Sequence, residues 1–218
     1  MGLSEALVAR LRAEILTGRR APGQPLSEEH IAREHDVSRE TVRASLQELT
    51  RLGIVEREPY CPASVARPDV RDLEDLIDVR IALEPLLVGR FVQRATDDQL
   101  AGFDRVQRRF DVAIAQGDPM TIVRRRSAFY EALTEGAGSW ALSSTIERES
   151  ARLTLLRTQV LGWPFELERL AAGTMHRRNI WPMMSRRDVD GSMRTCTRHL
   201  HEDGALTIRM VRARSAAA

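Results

Sequence analysis

The sequence predicts a mostly α-helical protein with a small N-terminal domain in residues 1–66, a linker at 67–69 and an all-α helical bundle in residues 70–218. Apolar residues recur at three- and four-residue spacing along almost the whole chain, which is the period of a buried helix face. Strand-like alternation is confined to the N-terminal domain, where residues 54–57 and 63–66 can pair as a short hairpin. A chain of 218 residues has room for two domains of these sizes.

The composition predicts a soluble, cytoplasmic protein with no membrane partner. Hydrophobic residues make up 43% and charged residues 29% of the chain, which is typical of a globular protein rather than a disordered one. Its two cysteines form no framework of disulfides, and neither a secretory signal nor an apolar run of transmembrane length is present. All 33 basic residues are arginine, yet the net charge is only +2.

The N-terminal domain begins with three predicted helices. Residues 3–17 carry apolar residues four apart, a turn rich in proline and glycine follows at 19–25, and a short helix is predicted at 27–35. After a tight turn, Ser38 is a good helix N-cap, because its hydroxyl can accept from backbone N–H groups that the first turn leaves free. Together with the hairpin, this order predicts a winged helix-turn-helix domain.

The helix that begins at Ser38 has the features of a helix that binds in the major groove of DNA. It buries one apolar stripe, and the polar residues near its N-terminal end face outward: Ser38, Arg39, Thr41 and Arg43. The arginines can bind guanine edges and phosphates, Thr41 a phosphate or a thymine methyl, and Ser38 the DNA backbone. A structural helical hairpin with a solvated charged face is the alternative, because residues 1–66 hold nine arginines against ten carboxylates.

Residues spread in order through positions 5–57 resemble the N-terminal DNA-binding domain of the GntR family of bacterial transcription regulators. The residues that carry the resemblance are Gly18, Pro22, Gly23, Leu26, Glu28, Ile31, Ala32, Val37, Ser38, Arg39, Val42, Arg43, Leu46, Leu49, Gly53, Ile54 and Val55. The sequence departs from the family pattern at the wing tip, residues 59–62, which lacks the usual glycine. A second departure is Glu29, where many members have a basic residue.

Residues 70–218 read as successive helices with clear boundary signals. The first predicted helix ends near residue 95, the second begins at the Thr96 capping box, and the third begins at Asp118-Pro119. The fourth extends from Ser139 to Leu161, the fifth begins at Pro164, and the last extends from Asp188 to about Arg212. We expect Pro182 to kink or interrupt one helix, and Gly204 to break the last.

This half is similar to the all-helical effector-binding (FCD) domain of the FadR subfamily of GntR regulators. The resemblance rests on Arg80, Glu84, Phe129, Leu142, His176, Asp188, His199 and Leu200. Most members hold a divalent metal with an aspartate, a histidine four residues later and two further histidines. The aligned residues here are Arg126, Tyr130, His176 and His199. Two imidazoles beside an arginine are a poor site, so we predict no cofactor, or a weakly held zinc, nickel or manganese ion.

The replacement of the aspartate suggests a different ligand. Arg126 can pair with an anionic effector such as a carboxylate, with Tyr130, His176 and His199 as neutral hydrogen-bond partners and Arg80 as a second anion contact. Arg126 belongs to a run of three arginines, at least two of which must face solvent or a neighbour, so an outward orientation is the alternative for it. Each histidine alone can also be an ordinary core or surface residue.

Together these features predict a ligand-responsive transcription regulator, a repressor by preference. It would bind double-stranded operator DNA as a homodimer and respond to a small anionic metabolite. The dimer is implied by the resemblance and by the few base pairs that one short helix can contact. No catalytic residue is predicted, because motifs for nucleophilic or phosphate chemistry are absent from the sequence. The alternatives are a metal- or metabolite-binding helical enzyme with a docking module, and a regulator with an empty pocket.

Overall fold

The computed structural model describes residues 2–58 and 61–216, and within them it confirms the predicted fold class. The described chain contains α1 (Leu3–Leu16), α2 (Glu28–His35), α3 (Arg39–Arg51), β1 (Val55–Glu56), β2 (Ser64–Val65), a 3-10 turn (Val70–Asp72), α4 (Leu73–Arg94), α5 (Asp97–Gln116), α6 (Pro119–Ala137), α7 (Trp140–Val160), α8 (Gly162–Ser185) and α9 (Val189–Ala216). No helix in these ranges is long and apolar enough to cross a bilayer.

The first three helices and the hairpin form a winged helix-turn-helix domain around one apolar core. Leu11 of α1, Ile31 of α2 and Leu46 of α3 are fully buried in it. Strands β1 and β2 are antiparallel, with Val55 opposite Val65. The wing-tip residues Pro59 and Tyr60, at which the sequence departs from the family pattern, lie outside the described residues.

The N-terminal domain packs directly against the bundle. Val123 of α6, with Ala151 and Leu155 of α7, belongs to the same apolar cluster as the core of the N-terminal domain. At the edge of this contact Arg12 of α1 donates to Glu147 of α7 at 2.7 Å. Helix α1 therefore makes most of this contact with α6 and α7, and Arg51 of α3 adds an ion pair to the same Glu147 at 3.7 Å.

Two bundle helices continue where the sequence predicts a break. Helix α8 runs through Pro182 to Ser185, so the proline does not interrupt it, whereas the kink that was the other expectation stays a prediction. The proline stands in the final turn, where the backbone hydrogen bond that it removes is one of the last. Helix α9 also continues past Gly204. A Cβ at this position would lie 2.6 Å from Ile77 of α4, so the glycine allows two helices to approach closely instead of ending one.

Replacing Gly204 with alanine should destabilise the bundle by about 1–3 kcal/mol, because the added methyl group forces α9 away from Ile77. Urea unfolding of the full chain measures the effect. Gly102→Ala is the matched control, since its methyl group would meet only the end of Arg105 at 3.8 Å. This control should be neutral or more stable by about 0.5–1 kcal/mol. Equal effects of the two substitutions would contradict the packing role of Gly204.

Candidate functional site

Ser38 caps helix α3 as predicted. Its hydroxyl oxygen accepts from the backbone N–H of Thr41 at 3.0 Å, and the two hydroxyl groups lie 2.8 Å apart. This arrangement fixes the first turn of α3 and leaves both side chains at the surface of the N-terminal domain. The start of the helix is therefore free to approach a DNA groove.

The two arginines of this turn are exposed but already paired with carboxylates of α2. Arg39 donates to Glu29 at 2.8 Å, and Arg43 lies 3.1 Å from Glu28. Arg57, next to β1, is 3.9 Å from the same Glu28 carboxylate. Any external anion must therefore compete with these internal carboxylates for the guanidinium groups.

A cavity of about 100 Å³ lies inside the bundle and has one polar and one apolar end. The apolar end is lined by Val88, Phe103, Phe110, Phe129, Leu133, Ile180 and Met184. At the polar end the cavity contains every residue that the sequence predicted for effector binding: Arg80, Arg126, Tyr130, His176 and His199. We refer to this space as the bundle cavity.

Arg126 points into the bundle, although its two neighbours in the run do not. Arg124 and Arg125 are exposed, whereas the Arg126 side chain is 13% exposed and lies 3.6 Å from Glu166. Its guanidinium also donates to the hydroxyl of Thr154 on α7. The outward orientation considered as an alternative is therefore wrong.

Arg80, the predicted second anion contact, is held by internal carboxylates. It donates to Glu84 at 2.6 Å and lies 3.4 Å from Asp203 of α9. Burial opposes its charge, but the Glu84 carboxylate raises the pKa of Arg80 well above its ordinary value. The Tyr130 hydroxyl donates to the same Glu84 at 3.3 Å. The guanidinium group of Arg80 is therefore already bonded to protein carboxylates in the cavity wall, and little of its charge is available to attract a ligand.

Glu166 of α8 is fully buried beneath the polar end. It accepts from Arg157 at 3.1 Å and from Arg169 at 2.8 Å, and Arg169 also donates to Asp203 at 2.9 Å. Although burial acts to raise it, the pKa of Glu166 is lowered to about 2 by the guanidinium groups of Arg157 and Arg169. The carboxylate is therefore ionised at neutral pH and ties α7 to α8.

The polar end holds more positive than negative charge. Four guanidinium groups face three carboxylates: Arg80, Arg126, Arg157 and Arg169 against Glu84, Glu166 and Asp203. Burial and the neighbouring Arg169 lower the pKa of Arg157 to about 9, and burial lowers the pKa of Arg126. Both terminal nitrogens of Arg157 lack a hydrogen-bond partner among the described residues. The Arg157 side chain is fully buried and does not line the cavity, so only Arg80, Arg126 and Arg169 of these four arginines border it. The group as a whole carries one uncompensated positive charge.

The two histidines of the cavity stack on each other. Their ring centroids are 3.9 Å apart, with 10° between the ring planes. Burial and the facing His199 lower the pKa of His176 to about 3, and burial lowers the pKa of His199. Both imidazoles are therefore mainly neutral at pH 7, and each can donate one hydrogen bond and accept one.

The residues of the bundle cavity do not fit the metal that the resemblance implies. The guanidinium of Arg126 stands at the position of the aspartate ligand and is cationic, so it repels a metal ion. The stacked rings of His176 and His199 lie side by side instead of converging from different directions. Within the described residues, no three His, Cys, Asp or Glu donors of this cavity lie within 4.8 Å of one another.

One group of three such donors does occur elsewhere among the described residues: Glu14, Glu34 and His35 of the N-terminal domain. Arg20 occupies its centre, at 2.7 Å from Glu14 and 2.8 Å from Glu34. Arg20 is thus shared between the two carboxylates, Arg10 provides a second partner for Glu14 at 2.9 Å, and the group connects α1 to α2.

Sequence reasoning missed the buried residues beneath the cavity, namely Arg157, Glu166, Arg169 and Asp203. The spacing of Glu166 and Arg169, three apart on α8, does indicate an ion pair. It does not reveal that the pair is buried, because Asp203 and Arg157 come from other helices.

Two family models match the chain and together cover most of it. A model described as "FCD domain" matches residues 75–202, and one described as "Bacterial regulatory proteins, gntR family" matches residues 3–64.

Individual relatives have low sequence identity to this chain. The HTH-type transcriptional repressor RspR of Escherichia coli (strain K12) is 24% identical over 192 residues, which cover 88% of this chain and 83% of RspR. The uncharacterised HTH-type transcriptional regulator YdhC of Bacillus subtilis (strain 168) is 24% identical over 139 residues, 63% of this chain, and the match spans 62% of YdhC. The solved structure titled "E. coli McbR/YncC" has a TM-score of 0.75 at 19% identity, covering 96% of this chain and 98% of that one. It shows the same two-domain fold.

Arg43→Ala should weaken binding to a selected DNA site by roughly 10- to 100-fold at matched salt, because a guanine or phosphate contact is lost. Glu28→Gln should instead strengthen binding by a few-fold, since it removes the carboxylate that competes for Arg43. Fluorescence anisotropy with DNA selected from a random pool measures both. Arg19→Ala, an exposed arginine outside α3, is the control. Unchanged affinity in Arg43→Ala would argue against α3 as the recognition helix.

Lowering the pH from about 7.5 to about 5 should destabilise the protein. The unfolded chain takes up a proton near the ordinary pKa of 6.5, whereas folded His176 does so only near 3. The slope should stay below the ~1.4 kcal/mol per pH unit of one fully buried group, because the ring is partly exposed. Glu166 does not contribute in this window, since its ordinary pKa is 4.5.

Urea unfolding at several pH values tests this expectation. His176→Gln should reduce the slope but not remove it, because the pKa of His199 is also lowered by burial. His201→Gln, an exposed histidine of α9, should leave the slope unchanged. A slope as steep in His176→Gln as in the wild type would contradict the role of His176.

Proposed function

Since the chain belongs to the GntR family of bacterial transcription regulators and carries the FCD domain of that family, we propose that it is a cytoplasmic repressor controlled by a small carboxylate. In this proposal a homodimer binds double-stranded operator DNA through the two α3 helices. The carboxylate binds in the bundle cavity and changes the affinity for DNA.

The N-terminal domain supports the proposed DNA contacts. Helix α3 presents Arg39, Thr41 and Arg43 beside a capped first turn, and its opposite face is buried in the domain core. Because one such helix contacts few base pairs, a twofold dimer is the usual way to reach a specific site. The name of the relative RspR, a transcriptional repressor, supports repression over activation.

The surplus positive charge of the bundle cavity is the observation that carries the effector proposal. One carboxylate beside Arg126, which lines the cavity, would balance the surplus of four guanidinium groups over three internal carboxylates. The neutral His176 and His199 can then hydrogen-bond to the same ligand without adding charge. The apolar end, which includes Phe103 and Phe129, favours a ligand with a small apolar or aromatic body.

A route from this cavity to the N-terminal domain passes through Arg126. Its guanidinium contacts Thr154 of α7, the helix that also supplies Glu147 and Ala151 to the contact with the N-terminal domain. A carboxylate that draws Arg126 away from Thr154 therefore changes the face of α7 on which α1 rests. An effector that prefers one such arrangement shifts the population toward it.

We propose regulation instead of catalysis because the ionisable groups of the cavity are paired with one another. Glu84, Glu166 and Asp203 each accept from at least one arginine, so none is poised as a general base. Release of selected DNA by a carboxylate, without turnover of that carboxylate, distinguishes the regulator from the enzyme alternative. Conversion of the carboxylate by the purified protein would favour the enzyme.

Arg126→Met should abolish the response to carboxylates, because the guanidinium that binds the effector is lost. Its DNA affinity should be the same with and without carboxylate and should shift toward that of the effector-bound wild type, because the bond from Arg126 to Thr154 is absent in both. Gel shifts with selected DNA and a panel of C2–C8 and aromatic carboxylates, each beside its neutral amide, measure the response. The neighbouring exposed residue provides the control, Arg125→Met, which should respond like the wild type. A full response in Arg126→Met, or an equal response to the amides, would refute the proposed effector site.

A further inference from the structure

A second cavity of about 100 Å³ lies between the N-terminal domain and the bundle. Arg12 and Leu16 of α1 form one wall, and residues of α6 and α7 form the others. We refer to it as the interdomain cavity. It is separate from the bundle cavity, although Arg126 and Tyr130 stand between the two and line both.

Two buried polar atoms on residues of this cavity have no hydrogen-bond partner among the described residues. They are Nε of Arg12 and the hydroxyl oxygen of Ser150. Ser150 is only 5% exposed, and the Arg12 guanidinium is tied to Glu147 through its Nη1 atom. Leaving a buried donor unpaired costs about 1–3 kcal/mol, so the walls call for a ligand that accepts from Arg12 and exchanges a hydrogen bond with Ser150.

The charged groups around the interdomain cavity are already paired or solvated. Arg12 is paired with Glu147 at 2.7 Å, Arg126 lies against Glu166 of the bundle network, and Glu131 is exposed to solvent. A carboxylate would find no surplus positive charge here, and a cation no surplus negative charge. An uncharged ligand avoids the desolvation cost that an ion would incur in this setting.

Hydroxyl groups supply much of the remaining polar lining. Ser127 donates to the carbonyl of Val123 at 3.3 Å, and Ser143 donates to the carbonyl of Ser139 at 2.7 Å. Both hydroxyl oxygens therefore remain as acceptors. A ligand that fits must donate to these oxygens and accept from Arg12, so each of its polar groups should both donate and accept. Hydroxyl groups on adjacent carbons have this property.

We propose that the interdomain cavity is a second ligand site, which binds a small uncharged polyol and holds the N-terminal domain against the bundle. The volume of about 100 Å³ suits a chain of a few carbons. A polyol in this position contacts α1 on one side and α6 and α7 on the other, so its binding stabilises the docked arrangement by mass action. The proposal does not depend on a carboxylate effector in the bundle cavity.

Saturation-transfer NMR and calorimetry of the full chain with glycerol, erythritol and xylitol test this site. Binding of at least one polyol is expected in the wild type, and the same measurements with propionate and butyrate provide the anionic comparison. Ser143→Leu, which fills the cavity, should weaken polyol binding by about tenfold or more, and Ser150→Ala by about threefold. Thr145→Leu is the matched control on α7, since this residue is exposed and lies outside the cavity lining.

The outcomes separate the possibilities. Loss of polyol binding in Ser143→Leu and Ser150→Ala, with wild-type binding in Thr145→Leu, supports the site. Absence of polyol binding to the wild type, or equal binding by all four proteins, overturns it. If a carboxylate binds, and Ser143→Leu abolishes that binding while Arg126→Met leaves it intact, then the interdomain cavity takes an anion and the proposed polyol is the wrong class of ligand. If Ser143→Leu fails to fold, Ser150→Ala still decides, because the smaller change leaves the packing intact. None of these results bears on the response of DNA binding to carboxylates.

Discussion

A fully buried carboxylate, Glu166, determines how the bundle is built around its cavity. A charge in this position is tolerated only when opposite charges and hydrogen bonds surround it. Arg157 of α7, Arg169 of α8 and Arg126 of α6 supply them, and Arg169 extends the group to Asp203 of α9. The helices that enclose the cavity are thus joined by charges as well as by apolar packing. Because three carboxylates cannot balance four guanidinium groups, the same network also creates the proposed anion site.

Helix α7 connects this network to the N-terminal domain. Thr154 accepts from Arg126, Ala151 lies one turn earlier in the apolar contact with α1, and Glu147 one further turn earlier pairs with Arg12. A change at the cavity therefore reaches the domain contact within two helical turns. Couplings between two ligand sites are usually about 1–3 kcal/mol, which is on the scale of one or two such hydrogen bonds. In the proposed mechanism, rearrangement of a few contacts along α7 would supply a coupling of this size.

Local signals in the sequence were enough to predict the fold. Ser38, Thr96 and Asp118 cap helices in the structure as predicted, since a cap involves residues only three positions apart. The effect of Gly204 was mispredicted because it depends on Ile77, which is distant in sequence. Contacts between residues that are distant in sequence also limited the prediction of the candidate site. The sequence supplied the residues that line the bundle cavity, but the inward orientation of Arg126 depends on partners in α7 and α8.

At both proposed anion-binding sites, the arginines are already paired with carboxylates of the protein. At the DNA-facing surface Arg39 and Arg43 are paired with Glu29 and Glu28, and in the bundle Arg126 lies against Glu166. In each case an incoming anion must compete with an internal carboxylate for a guanidinium. Such competition lowers affinity for any single anion, so simple electrostatic attraction is not enough to bind. A ligand must also satisfy the surrounding geometry, and an N-terminal domain with more carboxylates than arginines is therefore suited to discriminating a specific DNA site from nonspecific DNA.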